Sequence, residues 1–250
     1  MPILMYHYIS VNPHAPADPM RTRLSVTPVN FEYQMAWLKV FDYTPITLDE
    51  LVAARAGTAK LPPRPVVLTF DDGYADFYTN AFPILRRNDF HATVYIISGR
   101  VGISGRVGQP AYMTWDQLRA LNESGLVTIG AHTRTHADLP HLPLDKSWAE
   151  VSGGKQDLES RLDMTVRHFA YPSGRYDRIT VAVTQAAGFV TAVTTHAAAA
   201  MPGDDLLALP RVRVSGTETL AQFVEALDGV PVVTNESQPP TNRLPERGGP

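Results

Sequence analysis

Cysteine is absent from all 250 residues, which excludes disulfides and thiolate metal ligands together. That absence suits a cytoplasmic or an exported protein equally, so compartment stays open. No apolar run approaches the roughly 18 residues of a membrane span, so no transmembrane segment is expected. The opening MPILMYHYIS lacks a basic n-region and a cleavage site, and its apolar stretch is too short for a signal peptide. Charge of one sign is also scarce: 22 Lys and Arg against 25 Asp and Glu leave a formal −3. No basic stripe stands out, so nucleic acid is not an expected partner. No internal repeat is visible.

What is present is an ordinary soluble composition, 44% hydrophobic and 19% charged, in a chain long enough for one α/β barrel domain. Short β-rich runs occur at Pro2–His7, Pro65–Phe70, His91–Ile97, Val127–Ala131, His168–Pro172, Phe189–Thr195 and Leu209–Val214. Their length and branched content predict strands buried on both faces. Helical stretches lie between them, several with readable starts. Thr27-Pro28 opens Val29–Phe41 with a capping hydroxyl and a proline at the first helical position. Thr47-x-x-Glu50 is a capping box before Leu48–Ala56, and Gly57 ends that helix. Thr79–Asn88, Trp115–Ser124, Leu144–Leu162, Ile179–Ala187 and Glu218–Leu227 complete the set. Alternating strands and helices predict a parallel sheet covered by helices, and about seven units favour closure into a barrel. One domain is expected over residues 1–230. Residues 231–250, polar and rich in Pro and Gly, read as a disordered tail, and Asn12–Arg23 reads as a surface loop.

Three strand ends carry the chemistry. Val66-Val67-Leu68-Thr69-Phe70 runs straight into Asp71-Asp72-Gly73, and in parallel α/β folds acids at that end face the site. Neighbouring strand residues point to opposite faces, so a turn permitted by Gly73 is needed to bring both carboxylates to one mouth. An isolated Asp-Asp-Gly is equally what a helix N-cap looks like. The second segment decides between them: Thr128-Ile129-Gly130-Ala131 leads into His132-Thr133-Arg134-Thr135-His136. Histidines four apart share one metal if a helical turn follows the strand. A His₂Asp set leaves a position open for water, the pattern of a catalytic rather than a structural site. The third segment, Phe169-Ala170-Tyr171-Pro172-Ser173-Gly174, is a tight turn that aims the Ser173 N–H as an oxyanion donor; taken alone it reads as an ordinary turn.

Together these segments resemble the polysaccharide deacetylases of carbohydrate esterase family 4, the NodB-homology fold. TFDDG resembles the first motif of that family and His-Thr-x-x-His the second, and the resemblance runs from about Pro2 to about Leu227. PILMYHYI and FAYPSG look most like the poly-β-1,6-N-acetylglucosamine deacetylases. The resemblance implies a distorted (β/α)7-type barrel and one divalent ion, zinc or else cobalt, nickel or iron. It makes Asp71 the general base, and Asp72, His132 and His136 the metal ligands. Thr133 would steady the loop between the histidines. The implied substrate is an N-acetylated polysaccharide or oligosaccharide, from which hydrolysis removes acetyl groups.

The chain departs from that pattern twice. Ala170 stands where many relatives carry an arginine that tethers the base, and the late strand Leu209-Pro210-Arg211-Val212-Arg213-Val214 lacks the histidine that serves them as general acid. Arg211 is the candidate replacement tether, since Arg pairs bidentately with carboxylates, and His7 at the end of the first strand is the candidate acid. The remaining histidines, His14, His91, His141, His168 and His196, read as solvated or structural, and the tryptophans as packing residues. Tyr74, beside the Asp-Asp-Gly, is the aromatic to place near a sugar, with packing against a helix as the alternative. A deformylase or other amide hydrolase on the same fold, and a carbohydrate-binding pseudoenzyme, are the alternative functions.

Overall fold

The computed structural model describes residues 1–13, 17–106 and 110–228; His14 and the tail expected at 231–250 lie outside them. Among the described residues, ten strands and eight α-helices follow in order: β1 (Ile3–Tyr6), β2 (Tyr8–Ile9), α1 (Pro19–Leu24), β3 (Ser25–Val26), α2 (Pro28–Val40), β4 (Thr44–Pro45), α3 (Leu48–Arg55), β5 (Pro65–Phe70), α4 (Phe82–Asn88), β6 (Ala92–Ile96), α5 (Trp115–Glu123), β7 (Val127–Ala131), α6 (Leu144–Leu162), β8 (His168–Ala170), α7 (Arg178–Ala186), β9 (Thr191–Ala197), β10 (Leu209–Arg213) and α8 (Leu220–Asp228). β1 pairs in parallel with both β5 and β10, which closes β1 and β5–β10 into a seven-stranded parallel barrel. The fold expected from the sequence is the one observed.

The local chemistry accounts for the helix starts. Thr27 accepts from the Asn30 N–H, and Thr47 and Glu50 close their capping box; each side-chain cap satisfies one of the orphan donors of a first turn. Two readings need correction. The stretch Asn12–Arg23 is not wholly loop: Asp18 caps α1, with Pro19 at its first position, the same cap-and-proline signal as Thr27-Pro28. The helix expected from Thr79 begins earlier, as a wide turn over Phe77–Ala81 that runs into α4.

Two apolar clusters divide the core. The outer one packs Leu4, Leu68, Phe70, Val94 and Ile129 against the helices. The inner one sets Ile3, Val67, Tyr95, Val193 and Leu209 inside the barrel, with Leu48 and Leu51 sealing the end where the strands begin. Tyr95 fills much of this space: a Cβ built on Gly130 would lie 2.5 Å from its ring. Side chains alternate along a strand, so the inner row of β5 passes from Val67 to Thr69 to Asp71. The barrel is apolar at its closed end and polar at its mouth.

Candidate active site

Polarity enters the barrel at Arg211, whose side chain is fully buried. A buried guanidinium is tolerable only when its donors are taken up. Here Nε donates to the Thr194 carbonyl at 2.8 Å, and Nη1 donates to Thr69 Oγ1 at 3.0 Å and to Asp71 Oδ1 at 2.7 Å. Nη2 donates to Asp71 Oδ2 at 2.7 Å. The Asp71 carboxylate is therefore gripped on both oxygens in the planar fork that only arginine offers. Burial pushes the Asp71 pKa up, but the charge and hydrogen bonds of Arg211, helped by His7 and His132, outweigh it and hold the group below its ordinary value.

Asp72 follows directly and faces the same mouth because the chain turns left-handed twice, at φ +72° for Asp72 and +77° for Gly73. Asp is one of the few non-glycine residues that tolerates this region. At Gly73 a Cβ would meet Ile96 Cδ1 at 3.0 Å. The turn thus belongs to the aspartate as much as to the glycine. Asp72 Oδ1 lies 3.4 Å from His132 Nε2 and 3.6 Å from His136 Nε2. Burial raises the Asp72 pKa, yet its hydrogen bond to His132 and the charges of His132, His7 and His136 leave it well below the carboxylate range.

The two histidines meet without the helical turn that their spacing suggested. Thr133 and His136 instead adopt φ of +62° and +66°, and for a β-branched threonine that is a costly conformation. Thr133 Oγ1 accepts from the His136 N–H at 2.9 Å, which fixes the loop. His132 Nδ1–H donates to the Ala170 carbonyl at 2.7 Å, a bond that leaves Nε2 as the free lone pair pointing at Asp72. Ala170 thus orients the histidine through its backbone carbonyl.

These three groups fit a metal. One ligand atom from each of Asp72, His132 and His136 lies within 4.8 Å of the others. The edge of a tetrahedron with zinc-like bonds of about 2.0–2.1 Å is about 3.3–3.4 Å, close to the two Asp72–His separations. Donor types, spacing and the orientation of His132 agree with one divalent site.

His7 stands beside this centre, and Ser173 lies on the turn after β8. His7 Nε2 stands 3.9 Å from Asp71 Oδ2. Burial lowers its pKa, and Asp71 and Asp72 oppose that only in part. Ser173 is exposed on the turn that leaves β8, at φ +54°, and its carbonyl accepts from Thr195 Oγ1 at 3.2 Å. A Cβ on Gly174 would lie 2.5 Å from the Thr195 nitrogen, so that position admits no side chain. Tyr74 does not offer a free face to a sugar. It is stacked on Tyr8 at 3.7 Å and tilted against Tyr112 at 5.2 Å, and Arg21 covers the Tyr8 ring at 3.1 Å. The sequence reading did not single out this aromatic wall or Arg213. His168 is structural, bonded to Thr191 Oγ1 inside the sheet.

The polysaccharide deacetylase family model matches residues 58–192, more than half of the chain. That segment holds Asp71, Asp72, His132, His136 and Ser173 and leaves out His7 and Arg211. The Bacillus subtilis (strain 168) protein YxkH, named for the same family, is 30% identical over 215 residues, 86% of this chain and 71% of its own length. The poly-beta-1,6-N-acetyl-D-glucosamine N-deacetylase of Staphylococcus epidermidis is 29% identical over 217 residues, 82% of this chain and 73% of its own. Among solved structures, the Streptococcus pyogenes deacetylase PplD superposes with a TM-score of 0.80 at 29% identity, covering 91% of this chain and 97% of that one. With the barrel, the Asp-Asp-Gly turn and the paired histidines already in place, the chain belongs to the polysaccharide deacetylase family.

Proposed function

We propose that this protein hydrolyses the N-acetyl group of N-acetylglucosamine units in a cell-surface or cell-wall polysaccharide, with the help of one divalent ion. The observation that carries the reading is the pairing of a tethered, ionised Asp71 with the adjacent Asp72, His132 and His136 set. A base fixed beside three converging ligands serves hydrolysis, and a protein that only bound sugar would have no use for it. The relatives support the substrate class: one bears the name of a poly-N-acetylglucosamine deacetylase, and the structure of PplD is a complex with acetate, the acid that deacetylation releases.

Held by Asp72, His132 and His136, a divalent ion would polarise the acetamide carbonyl and make water acidic enough to be deprotonated near neutral pH. Asp71 takes the proton from the attacking water, as a carboxylate kept ionised by Arg211 is able to do. The Ser173 N–H donates to the oxygen that gains charge. His7, which follows β1 on the far side of β5 from β7, donates a proton to the departing amine. Thr133 and the Ala170 carbonyl keep the two imidazoles aligned.

Acetate release from N-acetylglucosamine oligomers, measured before and after chelation and after zinc, cobalt or nickel is restored, tests the reading. Chelation should abolish release and metal should restore it. Release indifferent to chelation, or formate release from N-formyl sugars in preference to acetate, would overturn it.

A further inference from the structure

The inner face of β10 carries two arginines, and only one is used by the site as described. Arg211 and Arg213 are two residues apart on the same strand, so their side chains leave the same face of the sheet. Met5, whose side chain is fully buried, is the register partner of both Arg213 and Thr69, and Thr69 touches Arg211 from inside the barrel. Arg213 therefore stands on the inner row one pleat beyond Arg211, about 6.6 Å nearer the mouth. His7 continues the same row of β1 past Met5, and Arg213 is among the charges that His7 feels.

Arg213 differs from Arg211 in having nothing to hold. Among the described residues its side chain takes part in no hydrogen bond or ion pair, and neither does the side chain of its neighbour Arg23. The carboxylate whose charge it feels is Asp71, and both oxygens of that group already accept from Arg211. Partial loss of water lowers the Arg213 pKa, and the charges of Arg211 and Arg23 add to the effect. Arg23 is brought there by its backbone, whose carbonyl accepts from the Gly216 N–H just past β10. A Cβ on Gly216 would lie 1.9 Å from the Ser25 carbonyl oxygen, so this approach is fixed by glycine. Two arginines thus come within reach of each other's charge at the rim, on the strand that supplies the tether of the base.

Resting on the reading of the protein as an amino-sugar deacetylase, we propose that Arg213, assisted by Arg23, binds an anionic substituent on the polysaccharide, so that the substrate is an acidic N-acetylated polymer rather than a neutral one. The planar fork of Arg213 matches a carboxylate or a phosphodiester oxygen pair, and its place one pleat beyond Arg211, the residue that grips Asp71, sets that group beside the acetamide under attack. The same charges disfavour the ammonium that deacetylation leaves behind. A polymer whose acidic groups are retained therefore remains a substrate, whereas a neutral polymer becomes a poorer one as it is deacetylated.

The test compares kcat/KM for acetate release by the zinc-loaded full chain from three probes of similar length. These are a neutral N-acetylglucosamine oligomer, one alternating N-acetylglucosamine with glucuronate, and one joined by phosphodiesters. The expected result is a preference of about 10-fold or more for at least one anionic probe over the neutral one, as for a new charge-assisted pair. The better anionic probe tells carboxylate from phosphate. Arg213→Gln should reduce that ratio to within about two-fold, Arg213→Lys should keep part of it, and raising salt from about 0.05 to about 0.5 M should erode it. Equal turnover of all three probes by the unaltered protein, or an Arg213→Gln ratio that stays put, overturns the proposal. If no probe releases acetate, the deacetylase reading itself falls. Calorimetric binding of the same probes then decides the question: at least about 10-fold tighter binding of an anionic probe, lost in Arg213→Gln, upholds the anion site, and equal binding removes it.

Discussion

Both oxygens of Asp71 sit 2.7 Å from the two terminal nitrogens of Arg211, inside a barrel where Arg211 is fully buried and Asp71 is only 3% exposed. Burial alone would raise the Asp71 pKa, and Arg211 is the largest force against it. A carboxylate with a depressed folded pKa contributes stability above its unfolded value of about 3.9. That contribution is lost as pH falls through the folded value. Arg211→Ala should reverse this: Asp71 becomes a base that protonates at higher pH, and the acid limb of the kcat/KM profile moves upward. An unpaired buried charge costs about 3–5 kcal/mol, so urea unfolding at neutral pH should detect the loss. Arg211→Lys keeps the charge without the fork and tests the site should the alanine variant not fold. An acid limb that stays where it was in both variants would show that Arg211 does not govern the base.

Asp71 and Asp72 are adjacent and both buried, yet the geometry gives them separate work. Asp72 Oδ1 faces His132 and His136, and Asp71 faces Arg211. Asp71→Asn should therefore bind about one equivalent of zinc and lose about 10²–10⁴-fold in turnover. Asp72→Ala and His132→Ala should lose the metal and the activity together. Elemental analysis of the purified variants beside their rates separates the two classes. Loss of zinc from Asp71→Asn would mean that both aspartates are ligands.

Much of this was legible before any coordinates. The strand at Pro65–Phe70 and the Asp-Asp-Gly behind it were readable because apolar alternation and a turn residue speak locally. Arg211 was reachable only through an absence, the alanine at position 170, because a tether 140 residues away leaves no local trace. What stayed hidden was backbone conformation. The four-residue spacing of His132 and His136 looked helical, whereas left-handed φ at Thr133 and His136 does the work, and no propensity favours a threonine there. Helix α1 was missed although Asp18-Pro19 announces it, since a six-residue helix carries too little apolar periodicity to register. The position of Tyr74 beside Asp-Asp-Gly leaves sugar contact and packing both open, and the stacking of Tyr8 and Tyr112 on it, which decides for packing, comes from segments that only the barrel brings together.

The cost of the Thr133 conformation implies a return in function. Its hydroxyl accepts from the His136 N–H, and His136 is the more accessible of the two histidines, with 28% of its side chain exposed against 2% for His132. Thr133→Val keeps the shape and removes the acceptor, so His136 should loosen and zinc affinity should fall about 10-fold or more. Thr133→Ser keeps the acceptor and should restore it. Competition with a chromogenic chelator measures both. Equal affinity in the valine variant would assign the strain at Thr133 to folding rather than to the site.

His7 offers a sharper separation, because its proposed role depends on the leaving group. An amine must be protonated to depart, whereas a nitrophenolate leaves unaided. His7→Gln should therefore lose about 10²–10⁴-fold on N-acetylglucosamine oligomers and far less on 4-nitrophenyl acetate at the same metal content. The pH profile supplies an independent readout. Burial lowers the His7 pKa below its ordinary 6.5, with Asp71 and Asp72 resisting. The protonated form needed to donate is thus lost as pH rises through a value under 6.5, and that loss sets the basic limb for the amide substrate. In His7→Gln the basic limb should disappear, while the acid limb set by Asp71 remains. Equal losses on amide and aryl ester would show that His7 acts on attack or on folding, and a basic limb unchanged by the substitution would place the acid elsewhere.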